Sequence, residues 1–357
     1  MRRLAVLAGL LALWAGAAQA YPAGERHMQA TEPSAALRDA QHRDTLRITV
    51  WYPAAPTAQE EDLTIGPPDR PLFRVGEAAP DAEFADDRRR PVILFSHGFG
   101  GSARMMGWFG TVMAQQGYVV IAVDHPGNNG IDPMTVAGAV MFWERPGDLA
   151  AALARVRAEP EFNRRMDMGK VGVAGFSAGG VASLMAAGAR VDLARLQAFC
   201  ASHPQDGVCA PQKEFAVTAE QTQALLASPE VAPRAAHAGD DLSLPQVRAA
   251  FVMAPAIVQA LDPRSLQSMR TPVSIILGDS DDVAPPNTNG GVAARAIPGA
   301  RMKVLAGVGH YDFLSQCTPA GQQMVPICPR SIPQGETHRA ALEAALRFFA
   351  QTLGGAP

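Results

Sequence analysis

One segment of the chain combines a serine with the local structure that nucleophilic catalysis needs. A Gly-x-Ser-x-Gly motif spans Gly175–Gly179, after an apolar run at 170–174 and before a helix-forming run at 180–187. A strand, a sharp turn and a helix place the hydroxyl at the carboxyl edge of a sheet, where backbone N–H groups stabilise an oxyanion. The pattern predicts that Ser177 is a nucleophile for acyl transfer. A tight turn whose serine only caps a helix is the alternative.

A seryl nucleophile requires a base and an orienting acid, here in the chain order serine, aspartate, histidine. The candidate base is His310, which lies in a glycine-rich loop after a short strand predicted at 301–305. This loop is long enough to bring the histidine over Ser177. Three other histidines are expected at the surface: His203, His237 and His338.

Three carboxylates follow the buried strand predicted at 271–277, and position decides among them. Asp281 is chosen to orient His310, because it lies three residues after the strand-ending glycine and four before a proline. Asp282 is the fallback, and Asp279 is expected to cap the turn by accepting backbone N–H bonds. A calcium site is an alternative for three adjacent acids, but the spacing lacks the oxygen-rich loop of such sites.

Two backbone amides are expected to form an oxyanion hole. One belongs to Ala178, directly after the serine. The other belongs to Phe99, in a His-Gly-x-Gly-Gly run at 97–101 that follows a strand predicted at 91–96. Glycines leave this backbone free to approach a substrate. His97 is expected to brace the loop rather than to act as a base.

These motifs resemble those of serine α/β-hydrolases, and within that group the chain is similar to bacterial platelet-activating-factor acetylhydrolases and predicted dienelactone-hydrolase-like proteins. Dienelactone hydrolases use a cysteine nucleophile where this chain has Ser177. The strand predicted at 247–255 ends without a carboxylate, unlike its counterpart in animal acetylhydrolases, which favours an acid after the next strand. The resemblance is carried by the serine and histidine motifs and by four segments: 50–54, 95–101, 117–127 and 144–149.

The motifs and the resemblance together imply hydrolysis of carboxylic esters through an acyl-enzyme, with no metal or organic cofactor. Short-chain or phospholipid acyl esters are the expected substrates. Amides and polyesters react with the same triad and remain open alternatives. A hydrolase-fold protein that only binds a ligand is a further alternative from a different functional class.

The apolar runs and turn signals predict the elements that position these residues. An early strand is expected at 45–53 and another at 118–123, with helices at 103–116 and 146–157. The Pro- and charge-rich stretch at 54–90 is predicted to be irregular surface. Strands that alternate with helices predict a mostly parallel twisted sheet with helices on both faces. The resemblance implies that this sheet has the α/β-hydrolase fold.

An insertion at about 193–244 interrupts this alternation and is predicted to cap the site. Four cysteines in an exported chain suggest two disulfides, and proximity favours Cys200 with Cys209 and Cys317 with Cys328. The other pairings remain open. Zinc is disfavoured because the cysteines lack C-x-x-C spacing.

The first residues have the pattern of a signal peptide at 1–20: a basic start, a short apolar core and a small-x-small site with cleavage after Ala20. The expected product is one hydrolase domain at 21–357, periplasmic or secreted. Cleavage lowers the formal net charge from −3 to −5, because it removes two arginines. A mildly acidic chain is not expected to bind nucleic acid, and its expected partner is a small-molecule or lipid ester.

Overall fold

The computed structural model describes residues 20–328 and 332–354. The predicted signal peptide therefore lies outside the described residues, except for Ala20. Within the described ranges, no helix is long and apolar enough to span a membrane.

The strands of the described chain join into one sheet of eleven. They are β1 (Ala23–Thr31), β2 (Thr45–Pro53), β3 (Glu61–Ile65), β4 (Phe73–Pro80), β5 (Arg90–Ser96), β6 (Val119–Asp124), β7 (Met166–Phe176), β8 (Val247–Met253), β9 (Val273–Gly278), β10 (Arg301–Leu305) and β11 (Gln316–Cys317). Their spatial order is β10-β9-β8-β7-β5-β6-β2-β1-β4-β11, with β3 paired to β4.

The six strands from β10 to β6 are parallel, whereas β2 joins β6 and β1 in antiparallel pairs. β5, β6 and β9 are buried along their whole length. Continuous apolar runs of this kind indicate strands covered on both faces. The prediction of a mostly parallel sheet is confirmed, and its carboxyl edge carries the loops of the candidate site.

Helices cover both faces of this sheet, as predicted. Leu94 packs into one apolar cluster and its neighbour Phe95 into the other, because successive side chains of a strand point to opposite faces. The helices are α1 (Ala35–Arg38), α2 (Gly107–Gln115), α3 (Val136–Val140), α4 (Arg145–Ala158), α5 (Pro160–Asn163), α6 (Ala178–Ala186), α7 (Leu193–Ser202), α8 (Ala219–Leu226), α9 (Ala232–Ala236), α10 (Pro263–Ser268), α11 (Gly290–Ala296), α12 (Pro319–Met324) and α13 (Gln334–Phe349). Short 3₁₀ turns lie at Arg104–Met106, Phe142–Glu144, Val258–Ala260 and His310–Phe313, and a π turn at Ala350–Gly354.

Two expectations about local structure were wrong. The stretch at 54–90 contains β3 and β4, which extend the sheet beyond β1, so it is only partly irregular. His338 was expected on a solvated helix face but is buried: its ring stacks on Trp108 at a centroid distance of 3.9 Å, and Nε2 donates to the Leu314 carbonyl at 2.8 Å. Packing between α13 and α2 decides this burial, and the local sequence does not reveal it. His203 and His237 are exposed, as expected.

The segment at 193–244 contains α7, α8 and α9. Helix α8 begins with a capping box formed by Thr218 and Gln221. A disulfide joins Cys200, in the last turn of α7, to Cys209 in the loop that follows this helix. The second predicted pair, Cys317 with Cys328, is also a disulfide.

Candidate active site

Ser177 occupies a strained turn between β7 and α6. Its φ of 56° and ψ of −123° belong to a region that residues with side chains rarely adopt. The two flanking glycines are required by close approach of the backbone. A Cβ at Gly175 would lie 2.2 Å from the Gly179 carbonyl oxygen, and one at Gly179 would lie 2.0 Å from that of Ser96. The turn therefore presents the hydroxyl at the carboxyl edge of the sheet.

The structure brings Ser177, His310 and Asp281 into one hydrogen-bonded chain. His310 Nε2 lies 2.9 Å from Ser177 Oγ, and His310 Nδ1 lies 2.7 Å from Asp281 Oδ2. All three residues are buried. Because the carboxylate accepts from Nδ1–H, Nε2 is left to accept the seryl proton.

Of the three carboxylates, Asp281 is the one that contacts His310. Asp281 Oδ1 accepts the N–H groups of Val283 and Ala284, so the carboxylate is fixed while Oδ2 faces His310. Asp282 is exposed and makes no such contact. Asp279 accepts the Gly307 N–H at 2.7 Å, in the capping role expected of it. Among the described residues, no cluster of acidic, histidine or cysteine side chains could hold a metal ion.

The loop after β5 passes directly beside Ser177. A Cβ at Gly98 would lie 3.2 Å from the Ser177 Cβ. Phe99 follows in this loop and lines the same cavity as Ser177 and Ala178. The Ala178 N–H is the first of α6, so it has no acceptor within the helix. Both predicted oxyanion residues thus border the space in front of the serine.

His97 braces this loop, as predicted. Its Nε2 accepts the His125 N–H at 3.1 Å, so Nδ1 carries the proton and donates to the Gly98 carbonyl at 2.7 Å. Burial, together with nearby His125 and Arg145, lowers the pKa of His97 well below its usual value. The ring is therefore neutral and serves as a fixed support.

A buried polar network beneath the loop was not anticipated from the sequence. Arg38 donates two hydrogen bonds to Asp148, at 2.7 and 2.8 Å, and His125 Nδ1 lies 2.8 Å from the same carboxylate. His125 Nε2 contacts Ser96 Oγ at 2.7 Å. Arg145 Nη1 donates at 2.6 Å to the carbonyl of His97, the residue that begins the loop. The only signals in the sequence were the segments 95–101, 117–127 and 144–149, quoted above for the resemblance.

Burial and charge set the protonation of this network. Burial alone would raise the pKa of Asp148, but the adjacent Arg38 outweighs it and holds that pKa well below its usual range. Burial and Arg145 lower the pKa of His125 to about 3, so it is neutral. Burial lowers the pKa of Arg145 to about 9, which leaves it charged at neutral pH.

Two cavities meet at Ser177. The large cavity, of about 240 Å³, is lined by Phe99, Ala178 and Arg145 on one side and by the 193–244 segment on the other. Its apolar wall includes Val140, Phe142, Leu196, Phe215 and Leu226. The small cavity, of about 60 Å³, is also lined by Ser177, and it includes His310, Tyr311 and Leu314 among its lining residues. The large cavity does not reach His310.

The 193–244 segment contributes residues to both cavities and contacts the residue next to His310. Glu214 accepts a hydrogen bond from the Tyr311 hydroxyl at 3.0 Å, next to His310. Gln212 lines both cavities, and Cys209 of the first disulfide lines the large one. The disulfide therefore holds part of the wall that faces Ser177.

Comparisons with known proteins identify the family and the fold. A model of the alpha/beta hydrolase family matches residues 93–319, more than half of the chain. The fold is similar to a ferulic acid esterase from Streptomyces cinnamoneus, with a TM-score of 0.61 and 20% identity over 95% of this chain and 92% of that one. It is also similar to a puromycin-hydrolyzing peptidase of Mycobacterium tuberculosis, with a TM-score of 0.50 and 16% identity over 93% of this chain and 39% of that one. No curated protein matches the sequence.

Proposed function

The chain belongs to the alpha/beta hydrolase family, and we propose that it hydrolyses carboxylic esters with Ser177 as the nucleophile, His310 as the base and Asp281 as the orienting acid. The observation that carries the proposal is the unbroken hydrogen-bonded chain from Ser177 Oγ through both nitrogens of His310 to Asp281. Its place on a strained turn supports the same assignment.

The reaction proceeds in two acyl transfers. His310 Nε2 takes the Ser177 proton as Oγ attacks the ester carbonyl, and the N–H groups of Phe99 and Ala178 hold the oxyanion. Asp281 fixes the Nδ1–H tautomer and stabilises the imidazolium. His310 then gives the proton to the leaving alcohol. In the second half, His310 activates water, which releases the acid and restores Ser177.

The two cavities divide the ester between them. The leaving oxygen must lie within reach of His310 Nε2, because this atom protonates it. The small cavity is lined by His310, so it receives the alcohol. The acyl group then enters the large cavity, where about 240 Å³ gives room for about eight water-sized groups. Short to medium acyl chains with a small alcohol are the substrate class that this division favours.

The 193–244 segment acts in this proposal as a cap on the site, within a single domain at 21–357. Its residues enclose the acyl group and limit the water that reaches the acyl-enzyme. The two disulfides support the further proposal that the protein is exported. The narrower resemblance to platelet-activating-factor acetylhydrolases and to dienelactone-hydrolase-like proteins stays a prediction from the sequence.

The test is ester hydrolysis by a Ser177→Ala variant and by a matched serine variant. Ser183 is buried in α6, and its hydroxyl bonds only to the Gly179 carbonyl. We expect Ser177→Ala to lower kcat for methyl and ethyl esters by about a million-fold, as loss of a triad serine does elsewhere. Ser183→Ala should stay within about threefold of the wild type. Activity of Ser177→Ala near that of Ser183→Ala would overturn the proposal.

A further inference from the structure

Arg145 brings an isolated positive charge to the large cavity. It is the one charged residue among the described residues that line this cavity, whose walls are otherwise apolar or neutral. Its side chain is buried, with 2% of its surface exposed. A charge so far removed from water is costly unless a group of opposite charge compensates it.

The contacts of Arg145 leave part of its guanidinium unpaired. Nη1 donates to the His97 carbonyl at 2.6 Å and reaches Ser96 Oγ at 3.5 Å. Nη2 is buried and has no hydrogen-bond partner. Within residues 20–328 and 332–354, no carboxylate lies at ion-pair distance from this side chain. An unmade hydrogen bond at a buried cationic donor is among the costliest to leave, so its persistence points to a ligand.

Asp148 does not neutralise Arg145, because its carboxylate is already engaged. Oδ1 accepts from Arg38, and Oδ2 accepts from Arg38 and lies 2.8 Å from His125. His125 and His97 are neutral, since burial lowers the pKa of each. The buried network therefore carries two arginines and one carboxylate, which leaves one positive charge at the wall of the cavity.

We propose that the large cavity selects acyl groups that end in a carboxylate, which pairs with the guanidinium of Arg145. This inference rests on the proposed function, because it places the ester carbonyl at Ser177 and the acyl chain in the large cavity. The apolar walls contact the methylene groups, and the single cation receives the carboxylate. The substrate class is then the monoester of an aliphatic dicarboxylic acid with a small alcohol. The net negative charge of the chain disfavours anions at long range, so any preference must arise in the cavity.

The test compares three methyl esters of one length at pH 7. Monomethyl adipate ends in a carboxylate, methyl adipamate ends in a neutral amide of the same shape, and methyl 6-methylheptanoate ends in an apolar isopropyl group. We expect wild-type kcat/KM for monomethyl adipate to exceed that for both neutral esters at least tenfold, the scale of a desolvated charge pair. The difference should appear mainly in KM, because the contact is made in the ground state and in the transition state alike.

Variants then assign the preference to Arg145. Arg145→Gln should reduce the ratio of kcat/KM for the anionic ester over the amide to about one, whereas Arg145→Lys should keep a ratio above one. A purely structural role of Arg145 on the loop at His97 would lower all three rates together and leave the ratio unchanged. Thr222→Val, which changes a neutral polar residue of the same cavity, is the matched control and should leave the ratio as in the wild type.

The possible failures are distinct. If the wild type hydrolyses none of the three esters, the proposed function fails with the inference. If it hydrolyses the neutral esters and prefers monomethyl adipate less than tenfold, only the inference is overturned, whatever the variants do. A tenfold preference that Arg145→Gln retains in an active variant also overturns it. If Arg145→Gln is inactive on all three esters, the test rests on the ratios in the wild type and in Arg145→Lys. A wild-type preference of at least tenfold with a ratio above one in Arg145→Lys supports the inference, and lower values overturn it.

Discussion

Replacement of Asp148 by asparagine tests how much the buried network contributes to the fold. Asp148 is fully buried and is the only carboxylate, among the described residues, that pairs with Arg38, itself 1% exposed. The change removes the negative charge but leaves a side chain of nearly the same volume. Arg38 and Arg145 then remain as two buried cations without a counterion. The amide can accept only part of the three hydrogen bonds that the carboxylate accepts.

The expected loss follows from these contacts. Two Arg38 hydrogen bonds at 2.7 and 2.8 Å and a His125 contact at 2.8 Å end on this carboxylate. Removing one member of a buried ion pair costs about 3–5 kcal/mol, mainly because the other charge stays buried and unpaired. This is a large share of the roughly 5–15 kcal/mol by which domains are stable. Asp148→Asn should therefore lower the free energy of unfolding by about 3–5 kcal/mol.

Urea unfolding at pH 7 with both disulfides oxidised measures this loss. The matched control is Asp62→Asn, because the Asp62–Arg74 ion pair lies on the surface with both side chains more than half exposed. Surface pairs contribute about 0–1 kcal/mol, so the control should barely change the unfolding midpoint. A loss of less than 1 kcal/mol for Asp148→Asn would refute the reasoning, since it would mean that Arg38 needs no buried counterion.

Three further predictions concern pH, backbone approach and the insertion. Burial lowers the pKa of His338 in the folded chain to about 4, despite its bond to Leu314. As pH falls below about 6.5, this histidine is therefore protonated in the unfolded chain before it is protonated in the folded chain. Stability should therefore be complete above about pH 6.5 and fall towards pH 4, and His338→Gln should reduce the slope by up to about 1.4 kcal/mol per pH unit in urea unfolding. Gly179→Ala should abolish activity and destabilise the fold, because its Cβ would meet backbone oxygen at 2.0 Å. The control Gly147→Ala, where a Cβ meets nothing within 4 Å, should stabilise α4 by about 0.5–1 kcal/mol. Replacing Cys200 and Cys209 together by serine should lower the free energy of unfolding by about 2–3 kcal/mol, measured without reductant, and should raise KM for longer acyl chains.

Each of these has a contrary outcome. An unchanged pH slope in His338→Gln would show that this histidine has the same pKa in the folded and the unfolded chain. An active Gly179→Ala would show that the turn at Ser177 tolerates a side chain. A KM for long acyl esters that is unchanged from the wild type in the double cysteine variant would show that the disulfide does not shape the acyl cavity.

The sequence was sufficient for the parts of the fold that local patterns determine. The apolar runs of β5, β6 and β9 and the Gly-x-Ser-x-Gly turn predict buried parallel strands and the position of Ser177. His310 and Asp281 were predicted by chain order and by distance from a strand end, and the contact between their side chains agrees with that choice.

The parts that the sequence did not reveal depend on residues distant along the chain. Arg38 and Asp148 are 110 residues apart, and nothing near either one indicates that the fold buries them together. His338 is covered by Trp108 of another helix, in contrast to its predicted exposure. β1 and β4 extend the sheet past β2, and each is held there by pairing with strands from other parts of the chain. Their own sequences gave no strong local signal of a strand.

The most direct test of the central proposal is covalent labelling of the oxidised protein with a fluorophosphonate, read by intact mass and peptide mapping. The account predicts one adduct, located on Ser177, with ester hydrolysis lost in proportion to labelling, and none in Ser177→Ala. Labelling that leaves Ser177 unmodified, or hydrolysis that persists after Ser177 is fully labelled, would contradict the account.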